Sequence, residues 1–123
     1  MDGLTKTGIY IFAIPIGILG IIHFLMGSSI AAGLPSFFFA PVIWVYISGL
    51  SLLAASISIL TGKYTRLACL LLALLFFILV LTVDLPMLIN NGSYTEITML
   101  IKDIVIGGGA LVIAAVSSRP EAL

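Results

Sequence analysis

The chain has 123 residues, 62% of them hydrophobic and only 8% charged, and a mean hydropathy of +1.35. No soluble domain of this length needs that much apolar content to fill its core, so the composition excludes a soluble globular protein and points to an integral membrane protein. Five basic residues balance five acidic ones without a basic tract, which excludes nucleic-acid binding, and the lone Cys69 excludes an internal disulfide or a vicinal thiol redox pair.

The first apolar stretch covers residues 7–26 and follows Lys6. Ser29 and Ala31 loosely fit a signal-peptide cleavage pattern, but the stretch is longer than a usual signal core, so it reads as a membrane span. Pro15 inside it is expected to kink or loosen the helix. At about 100° per residue, Ala13, Gly17, Gly20, Phe24 and Gly27 form a small-residue face, with His23 about a quarter turn from it. The connection that follows is uncharged and carries Phe37, Phe38 and Phe39 just ahead of Trp44 and Tyr46. It reads as an aromatic belt at the membrane interface or as a lid over an outward-facing pocket.

Pro41 opens the second span, residues 41–60, where Trp44, Ser48, Ser51, Ala55 and Ser58 make a polar and small stripe. The third, residues 67–85, carries Cys69, Ala73, Val80 and Asp84 on one side and is expected to close at Pro86. Asn91, Gly92 and Ser93 form a turn signal and, formally, a glycosylation sequon. The fourth span, residues 97–117, gathers Asp103, Gly107, Ala110, Ala114 and Ser117 on one side, in line with Glu96 and Met99 just before them. In lipid, close backbone approach and interhelical hydrogen bonds drive packing, so this face should turn into the bundle. Lys102 lies about 100° around the helix from Asp103, which disfavours pairing between the two. The Gly107–Gly109 run reads as a close-packing surface, with a local helix break as the alternative.

Each span has about the 20 residues needed to cross a bilayer as a helix. The expectation is an all-α, single-domain (residues 1–123) integral membrane four-helix bundle running up-down-up-down. Lys6, Lys63, Arg66 and Arg119 fall on one side, which places both termini in the cytoplasm of what reads as a bacterial inner membrane.

In that topology His23, Asp84, Lys102 and Asp103 share a layer near the outer surface, with Lys102 expected to pair with Asp84 and His23 with Asp103. Ionisable residues inside a membrane are costly and usually mark a packing device, a ligand site or an ion path. Three readings follow: a structural ion-pair network fixing helix register, an outward pocket rimmed by Trp44, Tyr46, Ser48, Glu96 and Met99, or a proton or ion relay. An enzyme acting alone has the least support. No nucleophile–histidine–acid spacing or phosphate loop is visible, and one histidine beside carboxylates falls short of a metal site.

Taken in order, these motifs resemble the DoxX-like small membrane proteins. They are Gly20, His23 and Phe24 in the first span, Gly33 to Pro35 before the second, Trp44, Tyr46 and Gly49 opening it, Arg66 to Ala68, Asp84 to Pro86, and Lys102-Asp103 followed by Gly108 to Leu111. The resemblance covers about residues 8 to 115. It implies a four-helix membrane bundle that serves as a subunit or partner of oxidoreductase systems handling thiosulfate, quinone or oxidative stress, or as an assembly factor. The chain departs from the pattern at Leu52, where many relatives carry glutamate, and at Asp84, where histidine or asparagine is common. The expected function is therefore an accessory or assembly-type subunit with no intrinsic catalysis. The alternative is a small transporter or ligand-binding membrane protein. Lipid is the certain partner; a membrane oxidoreductase and a second copy of the chain are further candidates, and no residue pattern names a cofactor.

Overall fold

The computed structural model describes residues 3–32 and 41–117. They form α1 (Gly3–Leu25), the short α2 (Gly27–Ala32), α3 (Pro41–Thr61), α4 (Thr65–Leu79), a π-helical turn (Val80–Asp84), α5 (Leu85–Asn91) and α6 (Tyr94–Val116). No strand occurs among the described residues. α1, α3, the unbroken run Thr65–Asn91 and α6 are each long and apolar enough to cross a membrane. Their flanks carry exposed Ile11, Leu25, Leu50, Leu81 and Val105, the surface expected of an all-α integral membrane bundle facing lipid. Gly33 to Pro35, Phe37 to Phe39 and Arg119 lie outside the described residues, and the proposed aromatic lid lies there with the phenylalanines.

Two expectations about proline meet different outcomes. α1 continues through Pro15 as a single helix. The third span, expected to end at Pro86, instead runs on to Asn91. Proline lacks the N–H for an i−4 bond and crowds the carbonyl one turn back. Here the helix widens just before it: Leu85 donates its N–H to Val80 O, five residues back, a π-type bond that relieves this crowding. Thr82 Oγ1 donates to Ile78 O in the same turn, at 2.7 Å. Pro86 then sits in the first turn of α5, where its missing donor costs nothing. Gly92, at φ +62°, closes α5, so the Asn91-Gly92 turn forms where the sequence places it.

Neighbouring spans pack antiparallel in two tight pairs, α1 with α3 and α4 with α6. In the first pair Gly20 lies against the backbone of Gly49 and Leu53, Gly49 against His23, and Gly27 against the Tyr46 ring. Ser56 Oγ donates across the interface to Ala13 O at 2.8 Å. Buried Ile9, Ala13, Ile16 and Gly20 repeat at alternating steps of four and three, as do Val45, Gly49, Leu52, Ser56 and Ile59 on α3. This is the spacing of shallow left-handed helix crossing. The stripe expected on the second span is therefore rotated: Ser51 and Trp44 are exposed, Ser48 and Ser58 half-buried, and only Ala55 is buried. Serine polarity points to the wrong side because Ser51 satisfies its hydroxyl within its own helix, on Ile47 O at 2.9 Å.

In the second pair the expected face holds. Glu96, Asp103, Gly107, Ala110, Ala114 and Ser117 are all buried and Met99 half-buried. On the facing helix Cys69, Ala73 and Asp84 are buried, with Val80 half-buried. Gly107 receives the Phe77 ring, Gly109 approaches Phe12, and α6 runs unbroken through all three glycines, the packing arrangement rather than the break. The four spans share one core, from Ile9, Ala13 and Ile16 through Leu52 and Ile59 to Leu72, Phe76, Ala110 and Ile113. It fills the half of the bundle nearer Lys6, Lys63 and Arg66. The other half carries the buried carboxyls.

Candidate functional site

Asp84 ends the π turn and is only 2% exposed. The turn shifts the helical phase just ahead of Pro86, and the carboxyl it delivers meets that of Asp103, itself 7% exposed, on α6. Ionised carboxylates are acceptors only, so two carboxyls in contact hydrogen-bond only while one of them holds a proton. Asp84 Oδ2 has no donor from any described residue. Lys102 is the local cation: its Nζ stands 4.0 Å from Asp103 Oδ1, at the outer limit of an ion pair, with its side chain 55% exposed.

Further along α6, Glu96 is 9% exposed. Its Oε1 accepts from Asn91 Nδ2 at 3.4 Å, and its Oε2 finds no partner among the described residues. About two helical turns, some 10 Å, separate Glu96 from Asp103 along the helix. The second helical pair thus presents buried acidic groups at two levels.

The four residues expected in one layer divide between the two pairs. Asp84, Asp103 and Lys102 come together on α4–α6. His23 belongs to the α1–α3 seam, where its Cβ packs over Gly49 and its Nδ1 lies 2.7 Å from Leu19 O. The expected His23–Asp103 contact is absent among the described residues; the four-three spacing that carries His23 into its own seam ties it to α3. The expected Lys102–Asp84 ion pair is also absent among them, because Asp84 turns toward Asp103 and Lys102 turns outward beside it. The neighbour pair that the sequence disfavours is the one that forms, loosely.

The rim residues also separate. Tyr46 stacks on Phe24, with ring centroids 5.8 Å apart and planes inclined by 15°, while Trp44 is 47% exposed and Ser48 lies half-buried on the same helix. Glu96 and Met99 belong to the other pair. No group of three or more His, Cys, Asp or Glu side chains among the described residues is arranged to hold a metal ion.

A cleft lies elsewhere, between α3 and α4, with a volume of about 560 Å³. Its α3 wall is small and partly hydroxylated, with Ser51, Ala54 and Ser58. Its α4 wall is a row of Leu67, Leu71, Leu74 and Ile78. Ser51 and Ser58 were legible in the sequence, but as part of an inward stripe with Ala55; in the fold they line an outward groove, joined by Ala54.

No protein-family model, curated protein or solved structure matches the chain.

Proposed function

We propose that the chain is an accessory or assembly-type membrane subunit, of the DoxX-like kind, working in a bacterial inner membrane. One observation carries this reading: the groove between α3 and α4, floored by Ser51, Ala54 and Ser58 on a membrane-spanning surface. Small residues let transmembrane helices approach closely, and a groove beside a leucine wall has the form that a partner's helix would fill. The resemblance supplies the partner class, a membrane oxidoreductase. To test it, the tagged chain is purified from its native membrane in mild detergent, alongside Ala54→Leu, which fills the groove. A stoichiometric partner retained by the parent chain and lost from Ala54→Leu, with that partner's activity falling on deletion of the gene, supports the subunit reading. Recovery of the chain alone together with an unaffected oxidoreductase background refutes it.

A second reading is favoured by a different observation, the donorless Asp84 oxygen against Asp103 beside a π turn. π turns recur at functional sites, and intramembrane carboxyls mark ion paths. In this reading the pair passes protons as part of a small transporter. Reconstitution in liposomes loaded with a pH-sensitive dye tests it: a proton flux abolished by Asp103→Asn supports transport, and a leak equal to that of empty liposomes excludes it.

A further inference from the structure

At the end of the bundle opposite the carboxyls, a smaller cleft of about 220 Å³ lies between α1, the α3–α4 turn and the end of α6. Its polar lining consists of Lys6, Tyr10, Thr61, Thr65 and Ser117. A water molecule occupies about 30 Å³ in the liquid, so the space holds a tetrahedral oxyanion with several waters.

Ser117 is the group that marks this cleft. It is 1% exposed, and its Oγ has no hydrogen-bond partner among the described residues. Its backbone N–H is already engaged with Ile113 O and Ala114 O, so the hydroxyl alone is left over. An unmade hydrogen bond on a buried hydroxyl costs about 1–3 kcal/mol, which a ligand in the cleft would recover. Thr65 is 6% exposed, and its hydroxyl likewise bonds to no described residue. Thr61 differs, because its hydroxyl already donates to Ile57 O at 2.8 Å.

Charge points the same way. The Lys6 ammonium forms no ion pair with a described residue. Arg66 lies in the first turn of α4, and the sequence from Thr61 to Leu67 contains no acidic residue. α4 begins on the cleft wall at Thr65 without a side-chain cap. The first intrahelical amide bond there is Ala68 N–H to Tyr64 O, so the preceding amides lack intrahelical acceptors. The ends of α3 at Thr61 and α6 at Val116 reach the same cleft and offset the α4 start, so the lysine and the donor hydroxyls are what favour an anion here.

We infer that this cleft binds a phosphate group, held by the Lys6 ammonium and by the Ser117 and Thr65 hydroxyls at the start of α4. The phosphate comes either from the headgroup of an anionic phospholipid in the adjacent leaflet or from the free ion. The inference is independent of the partner reading above.

The test uses the full chain in a neutral detergent and follows thermal unfolding with three probes: inorganic phosphate, short-chain phosphatidylglycerol and short-chain phosphatidylcholine. Saturable stabilisation by phosphatidylglycerol, absent with phosphatidylcholine and with the free ion, assigns the lipid source. Stabilisation by inorganic phosphate that phosphatidylglycerol does not increase assigns the free ion. In either case Lys6→Gln and Ser117→Ala should each weaken the response about tenfold, as expected for loss of a charge-assisted contact. Lys63→Gln, outside the cleft lining, should change it less than about twofold. Stabilisation that is equal in the parent chain, Lys6→Gln and Ser117→Ala, or no stabilisation by any probe, overturns the inference. If Ser117→Ala unfolds before the titration, Ser117→Thr, which keeps the hydroxyl, should restore both fold and binding; restored fold without binding also counts against the site.

Discussion

The α1–α3 seam makes a sharp quantitative prediction at Gly20. A Cβ placed there would stand 2.8 Å from Gly49 O and 2.9 Å from Leu53 N, both backbone atoms of the facing helix. Ordinary contact begins near 3.4 Å, so Gly20→Ala forces the two helices apart by about 0.6 Å, and backbone cannot rotate aside as a side chain can. A radial gap of that size forfeits about a quarter or more of the attraction at neighbouring contacts. Those contacts include Gly17 on Ser56 and Gly49 on His23, and the same separation stretches the Ser56–Ala13 bond. Alanine gains about 1 kcal/mol over glycine in helix propensity, whereas overpacking costs about 1–3 kcal/mol, so the net change is destabilising. Gly108→Ala is the matched comparison: nothing lies within 4 Å of a Cβ there, so only the propensity gain applies. Reversible unfolding in mixed micelles with increasing SDS should show Gly20→Ala less stable than the parent by up to about 2 kcal/mol, and Gly108→Ala equal to the parent or up to about 1 kcal/mol more stable. A Gly20→Ala chain as stable as Gly108→Ala would refute the close backbone approach.

Gly107→Ala should fall between these two in the same assay, because the atoms it meets at 2.8–3.3 Å belong to the Phe77 ring, which can turn aside. Ser56→Ala removes the 2.8 Å bond to Ala13 O, and should cost about 0.6 kcal/mol, the usual value between membrane helices; no change on substitution would mean that the hydroxyl bonds within its own helix instead. Pro86→Ala removes the reason for the π turn, so α4 and α5 should join as regular α-helix and carry Asp84 about 100° around the axis from Asp103. In a Cys69→Ala background, the Asp84→Cys, Asp103→Cys pair should cross-link readily with a short bifunctional thiol reagent and several-fold more slowly once Pro86→Ala is added. Equal rates would show that the turn does not depend on the proline.

Much of this protein follows from local composition and period. Four apolar runs of membrane-spanning length force four helices, because lipid offers the backbone no hydrogen-bond partner, so all-helical spans follow directly. The inward face of the fourth span was equally legible, since Asp103, Gly107, Ala110, Ala114 and Ser117 combine small size, polarity and helical spacing, and each criterion selects the same side.

Where those criteria disagree, tertiary structure decides. On the second span the serines point one way and the four-three spacing of Val45, Gly49, Leu52, Ser56 and Ile59 the other; the spacing prevails because Gly49 and Ser56 match Gly20, His23 and Ala13 on the facing helix. Regular projection already put Asp84 and Asp103 on the inward faces of their spans; what it could not give was their meeting with each other rather than with Lys102 and His23, which depends on how the two helices sit together. His23 followed its own seam for the same reason that the carboxyls met across theirs. In a bundle held by close packing, a polar side chain goes where the backbone fit takes it, and that fit depends on two helices at once.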